Sequence, residues 1–125
     1  MPQTKTAVIN LSDDGVVIVR ICHGARQSLE DAKANLLAAF SATAGHRRPI
    51  LIDIRQAQPL DADVRHYYSG QALVSRFAAL AVLVESSPLG RMMGNVYLRV
   101  VRLGIPTQLF TDESRAVQWL IKHRL

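Results

Sequence analysis

Pro49-Ile50-Leu51-Ile52-Asp53-Ile54-Arg55 is the stretch whose reading decides the fold. Its aliphatic side chains run on almost without interruption. A strand with one wet face alternates apolar and polar residues, whereas a strand covered on both faces does not. This run therefore reads as a central strand of a largely parallel sheet. The basic, glycine-containing turn Gly45-His46-Arg47-Arg48 leads into it, and the polar segment Gln56-Ala57-Gln58-Pro59 follows it.

On the N-terminal side, residues 5–11 and 16–22 read as two strands around Ser12-Asp13-Asp14-Gly15, an Asp-Gly hairpin signal. Ser28 opens a helix, with Asp31 at the spacing of a capping box. Leu29, Ala32, Leu36, Leu37 and Phe40 form its apolar stripe, Glu30, Lys33 and Asn35 its wet face, and Gly45 ends it. On the C-terminal side, Asp61 or Asp63 caps a second helix with Val64, Tyr67, Tyr68, Ala72 and Leu73 inward, weakened by Gly70. Residues 77–84 are a second fully apolar run and a second central strand. Ser87 followed by Pro88 starts a third helix, in which Leu89, Met92, Met93, Val96, Tyr97 and Val100 recur at helical spacing until Gly104 and Pro106. Thr107-Gln108-Leu109-Phe110 is a short last strand. Thr111 caps a final helix with Asp112 and Glu113 in its first turn and Lys122, His123 and Arg124 in its last, both suited to the macrodipole. Ala116, Val117, Leu120 and Ile121 are its inward residues.

The order β-β-α-β-α-β-α-β-α predicts one α/β domain over residues 1–125, with a mixed, mostly parallel sheet of four to five strands and about four helices. Ligand sites in such sheets lie beyond the carboxyl ends of the parallel strands. Here those ends are Asp53 to Leu60, Glu85 to Ser87, and Thr111-Asp112.

The chain has 125 residues, 49% of them hydrophobic and 20% charged, which excludes disorder. Cys22 is the only cysteine, so no intramolecular disulfide forms, and a lone buried thiol fits a reducing compartment. No signal-peptide core follows Met1, and no run reaches the roughly 18 apolar residues of a membrane span, so a cytoplasmic location is expected. The net charge is +5 and the pI about 10. Arginine outnumbers lysine twelve to three, but the arginines are dispersed and only Arg47-Arg48 are adjacent. That dispersion argues against nucleic acid as the partner.

Most catalytic chemistries lack their residues. His23, His46, His66 and His123 have no metal-ligand spacing, so no metal is expected. There is no nucleophile elbow, Walker loop or dinucleotide fingerprint, so no cofactor is expected. Cys22 and His23 point to opposite faces if both lie in a strand. Asp61 and Asp63, two apart at a helix start, do not face each other. Asp13-Asp14, Asp53 and Ser86-Ser87 imitate a response-regulator receiver. Yet the aspartate pair sits in a hairpin and no lysine follows the last strand.

The third helix is asymmetric. Arg91, Asn95, Arg99 and Arg102 share one face, a stripe suited to an acidic partner or a polyanion. Leu98 and Val101 fall outside the main apolar stripe, which points to a subunit interface and a homodimer. Ser86, Ser87 and Arg91 at its start form a candidate anion site. Tyr67, Tyr68, Met92, Met93 and Tyr97 are candidates to line a pocket between helices and sheet, which would make the chain a small-molecule or lipid-binding domain.

The element order resembles the STAS domain, named for sulfate transporters and anti-sigma factor antagonists. Ile50-Leu51-Ile52-Asp53 is similar to that family's buried strand ending in aspartate. Pro59-Leu60-Asp61-Ala62-Asp63 sits where the family carries its Asp-Ser-Ser/Gly segment. The resemblance covers most of the chain in the order of its elements and rests, in motif, on residues 50–63. It implies a non-catalytic regulatory or protein-interaction module of bacterial type. Asp53, Arg55, Asp61, Asp63 and Arg65 would then bind a protein partner or a second copy. Regulatory STAS proteins carry a phosphorylatable serine at the start of this helix, whereas this sequence has Ala62 between two aspartates. Those carboxylates either imitate a phosphorylated state or cap the helix.

Overall fold

When consecutive strands are also neighbours in a sheet, every parallel crossover steps in the same direction. The right-handed rule then puts the crossover helices on one face. The computed structural model, which describes residues 3–68, 76–92, 95 and 104–124, has this arrangement. Strands β1 (Ala7–Leu11), β2 (Val17–Ile21), β3 (Arg48–Asp53), β4 (Phe77–Leu83) and β5 (Thr107–Phe110) lie in one sheet in chain order. β1 and β2 are an antiparallel hairpin turned at Gly15, whose φ of 83° is costly for any residue with a Cβ. The β2–β3, β3–β4 and β4–β5 pairs are parallel. Helices α1 (Leu29–Ala42) and α2 (Ala62–Tyr68) are the crossovers on one face. A third helix, α3, begins at residues 88–92, and α4 (Glu113–Ile121) covers the opposite face.

The alternating residues of the strands divide the core in two. Ile9, Val17, Val19, Ile50, Ile52, Leu80 and Val82 pack with α1 and with Val64 of α2. Val16, Ile18, Leu51, Ala79, Ala81 and Leu83 pack with Ala116 and Leu120 of α4. Residues 50–54 are buried without a break because consecutive side chains enter different cores. That is the physical reason for the continuous run that marks the strand.

α1 starts as its sequence predicts. Asp31 N donates to Ser28 Oγ at 3.1 Å, and Ser28 N donates to Asp31 Oδ2 at 2.9 Å. The hydrogen bond donated by the Ser28 backbone amide holds the Asp31 carboxyl below its ordinary value, against slight burial.

The facing of α1 differs from expectation at two residues. Asn35 is buried, not wet, and Leu37 is 67% exposed, not inward. Ala32, Asn35, Leu36 and Ala39 follow an i, i+3, i+4, i+7 stripe, so Leu37 lies a full 100° around the helix from Leu36. Asn35 is tolerated inside because its amide donates to Thr6 Oγ1 at 2.9 Å and to Gln27 Oε1 at 3.0 Å. Its carbonyl accepts from the Thr4 hydroxyl. A satisfied buried amide loses little on desolvation.

The last helix is capped by Asp112, not Thr111. Asp112 holds the extended conformation, φ −121° and ψ 120°, and its carboxylate accepts from Ser114 N at 2.9 Å. Lys122 is the C-cap, so Lys122, His123 and Arg124 follow the last turn instead of lying in it. Cys22 is half-buried just past β2. The expectations for Gly70, Ala72, Leu73, Val96 and Val100 concern positions outside the described residues.

Leu120→Ala is expected to cost about 2–5 kcal/mol in chemical denaturation, because it opens the core under α4. Leu37→Ala is expected to stay within about 0.5 kcal/mol. The reverse order would contradict the facing of α1 and α4 described above.

Candidate functional site

Arg20 and Asp53 are register partners across β2 and β3. Both continue the rows of side chains that face α4, at the carboxyl ends of the parallel strands. Asp53 is 8% exposed. A carboxylate there loses its water and must find cations. Arg55, two residues on, closes a fork on it: Nε to Oδ1 at 3.0 Å and Nη2 to Oδ2 at 2.9 Å, with the Arg55 amide also donating to Oδ1 at 3.1 Å. Arg20 Nη1 reaches Oδ2 at 3.1 Å. Glu113, the first residue of α4, accepts a second fork from Arg20 at 2.6 and 2.9 Å, and one bond from Arg55 at 3.3 Å. Two cations and two anions thus close a ring that joins β2, β3 and the start of α4.

Burial alone would push the Asp53 carboxyl up, but the hydrogen bonds and charge of Arg55, with Arg20, outweigh it and hold the carboxyl below its ordinary value. The Glu113 carboxyl is lowered by its hydrogen bonds from Arg20, again against burial. Arg20 is raised by its bonds to Glu113, and Arg55 by its fork on Asp53. All four groups are therefore charged near neutral pH, and neither carboxylate is poised as a general acid. The ring acts by position and field.

The loop beyond the ring is tied down on its other side. Gly24 N donates to Gln56 O at 2.7 Å and Gln58 N to Ala25 O at 3.1 Å. The loop delivers the chain to α2, where Asp61 O accepts from Arg65 N at 3.0 Å and so makes Asp61 the N-cap by its backbone. The Asp61 carboxylate meets Arg26 at 3.2 Å, with both side chains more than half exposed, a geometry worth little in stability. Asp63 accepts from Val64 N at 2.8 Å and is exposed.

The five residues expected to bind a partner separate into two groups. Asp53 and Arg55 belong to the ring, with Asp53 turned inward. Asp61 and Asp63 stand on the rim at the start of α2. Arg65 folds back, its Nη1 donating to Leu60 O at 2.6 Å.

The other candidates do not assemble as expected. Ser87 Oγ accepts from Gly90 N at 3.0 Å, so the hydroxyl caps α3. Ser87 borders a crevice of about 110 Å³ with Arg55, Glu85, Leu89 and Gly90. Arg91 borders a different groove, with Asn95, Thr111, Asp112 and Arg115, and Ser86 borders neither crevice nor groove. Gly90 packs tightly against the end of the turn before α3, since a Cβ there would collide with Glu85 O. Tyr67 packs against the core and Met92 is 56% exposed. The side chains of Tyr68, Met93 and Tyr97, and Leu98, Arg99, Val101 and Arg102 of the third-helix stripes, lie outside the described residues. The cavity between α1 and the sheet, bordered by Gln27, Asn35 and Leu36, holds about 20 Å³, room for roughly one water. Among the described residues no three His, Cys, Asp or Glu side chains gather as metal ligands. Among them, too, no helix is long and apolar enough to cross a membrane.

Arg20 and Glu113 were not legible as site residues. The available signal was a lone arginine inside the apolar run of β2. Glu113 was already accounted for by the helix dipole.

A family model described as a domain of unknown function, DUF7793, matches residues 9–124. The chain belongs to the DUF7793 family. No curated protein matches this DUF7793 chain. Among solved structures it is similar to an uncharacterised protein from Shewanella loihica PV-4, of the DUF3478 family and with a SpoIIAA-like fold. The TM-score is 0.61 and the identity 19%, with 96% of this chain and 98% of that one covered. That likeness establishes a STAS-like fold for the DUF7793 domain. A protein of unknown function from Arthrobacter sp. FB24 matches at 28% identity and a TM-score of 0.36, over 90% of this chain and 97% of that one.

Asp53→Asn is expected to cost about 1–3 kcal/mol near pH 7. That is less than for a fully buried pair, because Arg20 and Arg55 keep some contact with water. The pH dependence has a definite sign. Both carboxyls are lowered in the folded state, so their contribution is complete above the unfolded carboxylate range of about 4 and is lost as pH falls through the folded values. Urea titrations between neutral and acid pH should show stability falling with acid in the wild type and a shallower fall in Asp53→Asn.

Proposed function

We propose that this DUF7793 domain is a non-catalytic interaction module in a bacterial-type regulatory system. Its recognition surface is the rim at the start of α2. The observation that supports this reading most is the contrast between Asp53 and the two aspartates that follow. Asp53 is consumed by the ring, while Asp61 and Asp63 are exposed at the start of α2, where Asp61 O accepts from Arg65 N. Ala62 between them offers no hydroxyl to phosphorylate, so the negative charge at this helix start is permanent. On α3, Leu89 is 59% and Met92 56% exposed, and Leu89 borders the same crevice as Arg55 and Ala57. An apolar centre edged by charge is the usual composition of a protein interface.

The partner is a protein with a basic recognition surface, or a second copy that meets the exposed apolar residues of α3. The half-buried single thiol is in keeping with a cytoplasmic setting. A small-molecule or lipid pocket is less well supported, because Tyr67 lies against the core and Met92 toward solvent.

Asp61→Lys with Asp63→Lys is expected to abolish partner binding while costing about 1–2 kcal/mol in stability, since both side chains are exposed but lysines at a helix start oppose the macrodipole and Asp61 loses Arg26. Light scattering across a concentration series reads self-association. Affinity measured against a partner identified by cross-linking in cells reads the hetero-complex. Unchanged self-association and unchanged affinity in the double variant would contradict the proposed surface.

A further inference from the structure

The amino ends of the parallel strands gather cations that the sequence disperses. Arg47 and Arg48 lead into β3, the hairpin turns at Gly15, and Arg124 follows α4. Together with His46 and Pro49 they line a groove of about 220 Å³. Two of the guanidinium side chains converge on the glycine. Arg48 Nη1 lies 3.2 Å, and Arg124 Cδ 3.7 Å, from where a Cβ on Gly15 would stand.

Each arginine is oriented by a main-chain carbonyl. Arg48 Nε donates to Thr43 O at 2.8 Å, Arg124 Nη1 to Asp14 O at 3.0 Å, and Arg47 Nε to Phe77 O at 3.1 Å. Among the described residues neither Arg48 nor Arg124 has a carboxylate within ion-pair distance, and this includes Asp13 and Asp14 of the adjoining turn. Arg20 and Arg55, at the other end of the sheet, are both held by carboxylates. A guanidinium carries five N–H donors, so one carbonyl tether fixes its direction and leaves donors for a ligand.

We propose that this groove binds a small phosphate monoester, its phosphate seated over Gly15 between Arg48 and Arg124. Arg47 and His46 line the same groove. Planar guanidinium forks match phosphate oxygens in pairs, and an anion between two converging cations removes their mutual repulsion. The absence of a Cβ at Gly15 leaves room for Arg48 and Arg124 to converge over the turn. The groove is smaller than the roughly 300–1,000 Å³ of sites that enclose drug-sized ligands, which favours a small anion.

The test titrates the full chain with glycerol phosphate, and separately with inorganic phosphate, in chloride buffer at constant ionic strength. Calorimetry reads affinity and amide NMR shifts read location. Expected is saturable binding of glycerol phosphate with a Kd of about 1 mM or tighter, with shifts centred on Gly15, Arg48 and Arg124. Arg124→Gln, at an exposed position, should weaken binding at least tenfold with an unchanged melting temperature. Arg48→Lys, which keeps the charge but loses the fork, should weaken it severalfold. Inorganic phosphate binding as tightly as the ester would overturn the ester assignment. Non-saturating shifts, or an Arg124→Gln variant that binds as the wild type does, would overturn the site itself. So would a short oligonucleotide that outcompetes glycerol phosphate with a steep salt dependence, which would assign the groove to nucleic acid.

Discussion

A carboxylate at the end of a strand covered on both faces cannot stay there alone. Asp53 closes the central strand where helix packing has removed most of its water, and an unpaired charge in that position would cost several kcal/mol. The chain answers with two arginines on the same side of the sheet. One is Asp53's register partner on β2, and the other sits two residues further along the chain. Two arginines facing one aspartate leave an excess positive charge. Glu113 at the first turn of α4 balances it and draws the helix onto the sheet. α4, among the described residues the only helix on its face of the sheet, is thus located at one end by charge and along its length by Ala116 and Leu120.

The ring also sets the form of the rim above it. Because Arg55 turns back to Asp53, the chain leaves β3 in a tight turn, and hydrogen bonds from the 22–27 connector hold the loop from its other side. α2 then begins at a fixed place, with Asp61 and Asp63 outward. The two ends of the sheet carry opposite electrostatic solutions. At the carboxyl ends, cations and anions balance within the protein. At the amino ends, arginine side chains converge with main-chain carbonyls as their tethers. Folding brings Arg124 beside the adjacent pair Arg47 and Arg48, a grouping that the sequence alone shows only in part.

Most of the fold was legible because burial on two faces leaves a direct trace. The continuous runs at residues 50–54 and 77–84 could be read as central strands, and Ser28 and Ser87 could be read as caps, since these features are local. The errors occurred where tertiary contacts override local pattern. Asn35 resembles a surface residue until Thr6 and Gln27 arrive to satisfy it. Leu37 resembles a core residue, but a helix against a flat sheet buries a stripe too narrow to include it. Thr111 and Asp112 are both good caps, and only the backbone turn into α4 chooses between them. The candidate site was legible by half. Asp53 and Arg55 are neighbours in sequence, but Arg20 and Glu113 join them across 33 and 58 residues of chain. Distance of that kind is invisible without register.

The claim on which this account rests is that Arg20 and Glu113 act as one unit that seats α4. A double-mutant cycle with Arg20→Met and Glu113→Gln, read by urea denaturation at neutral pH, tests it most directly. The account predicts a coupling energy of about 1 kcal/mol after solvent screening of these half-exposed groups. It also predicts faster amide exchange in α4 for either single variant. Strictly additive effects, with α4 exchange unchanged, would show that the helix is held by its apolar face alone and would contradict the central role of the ring.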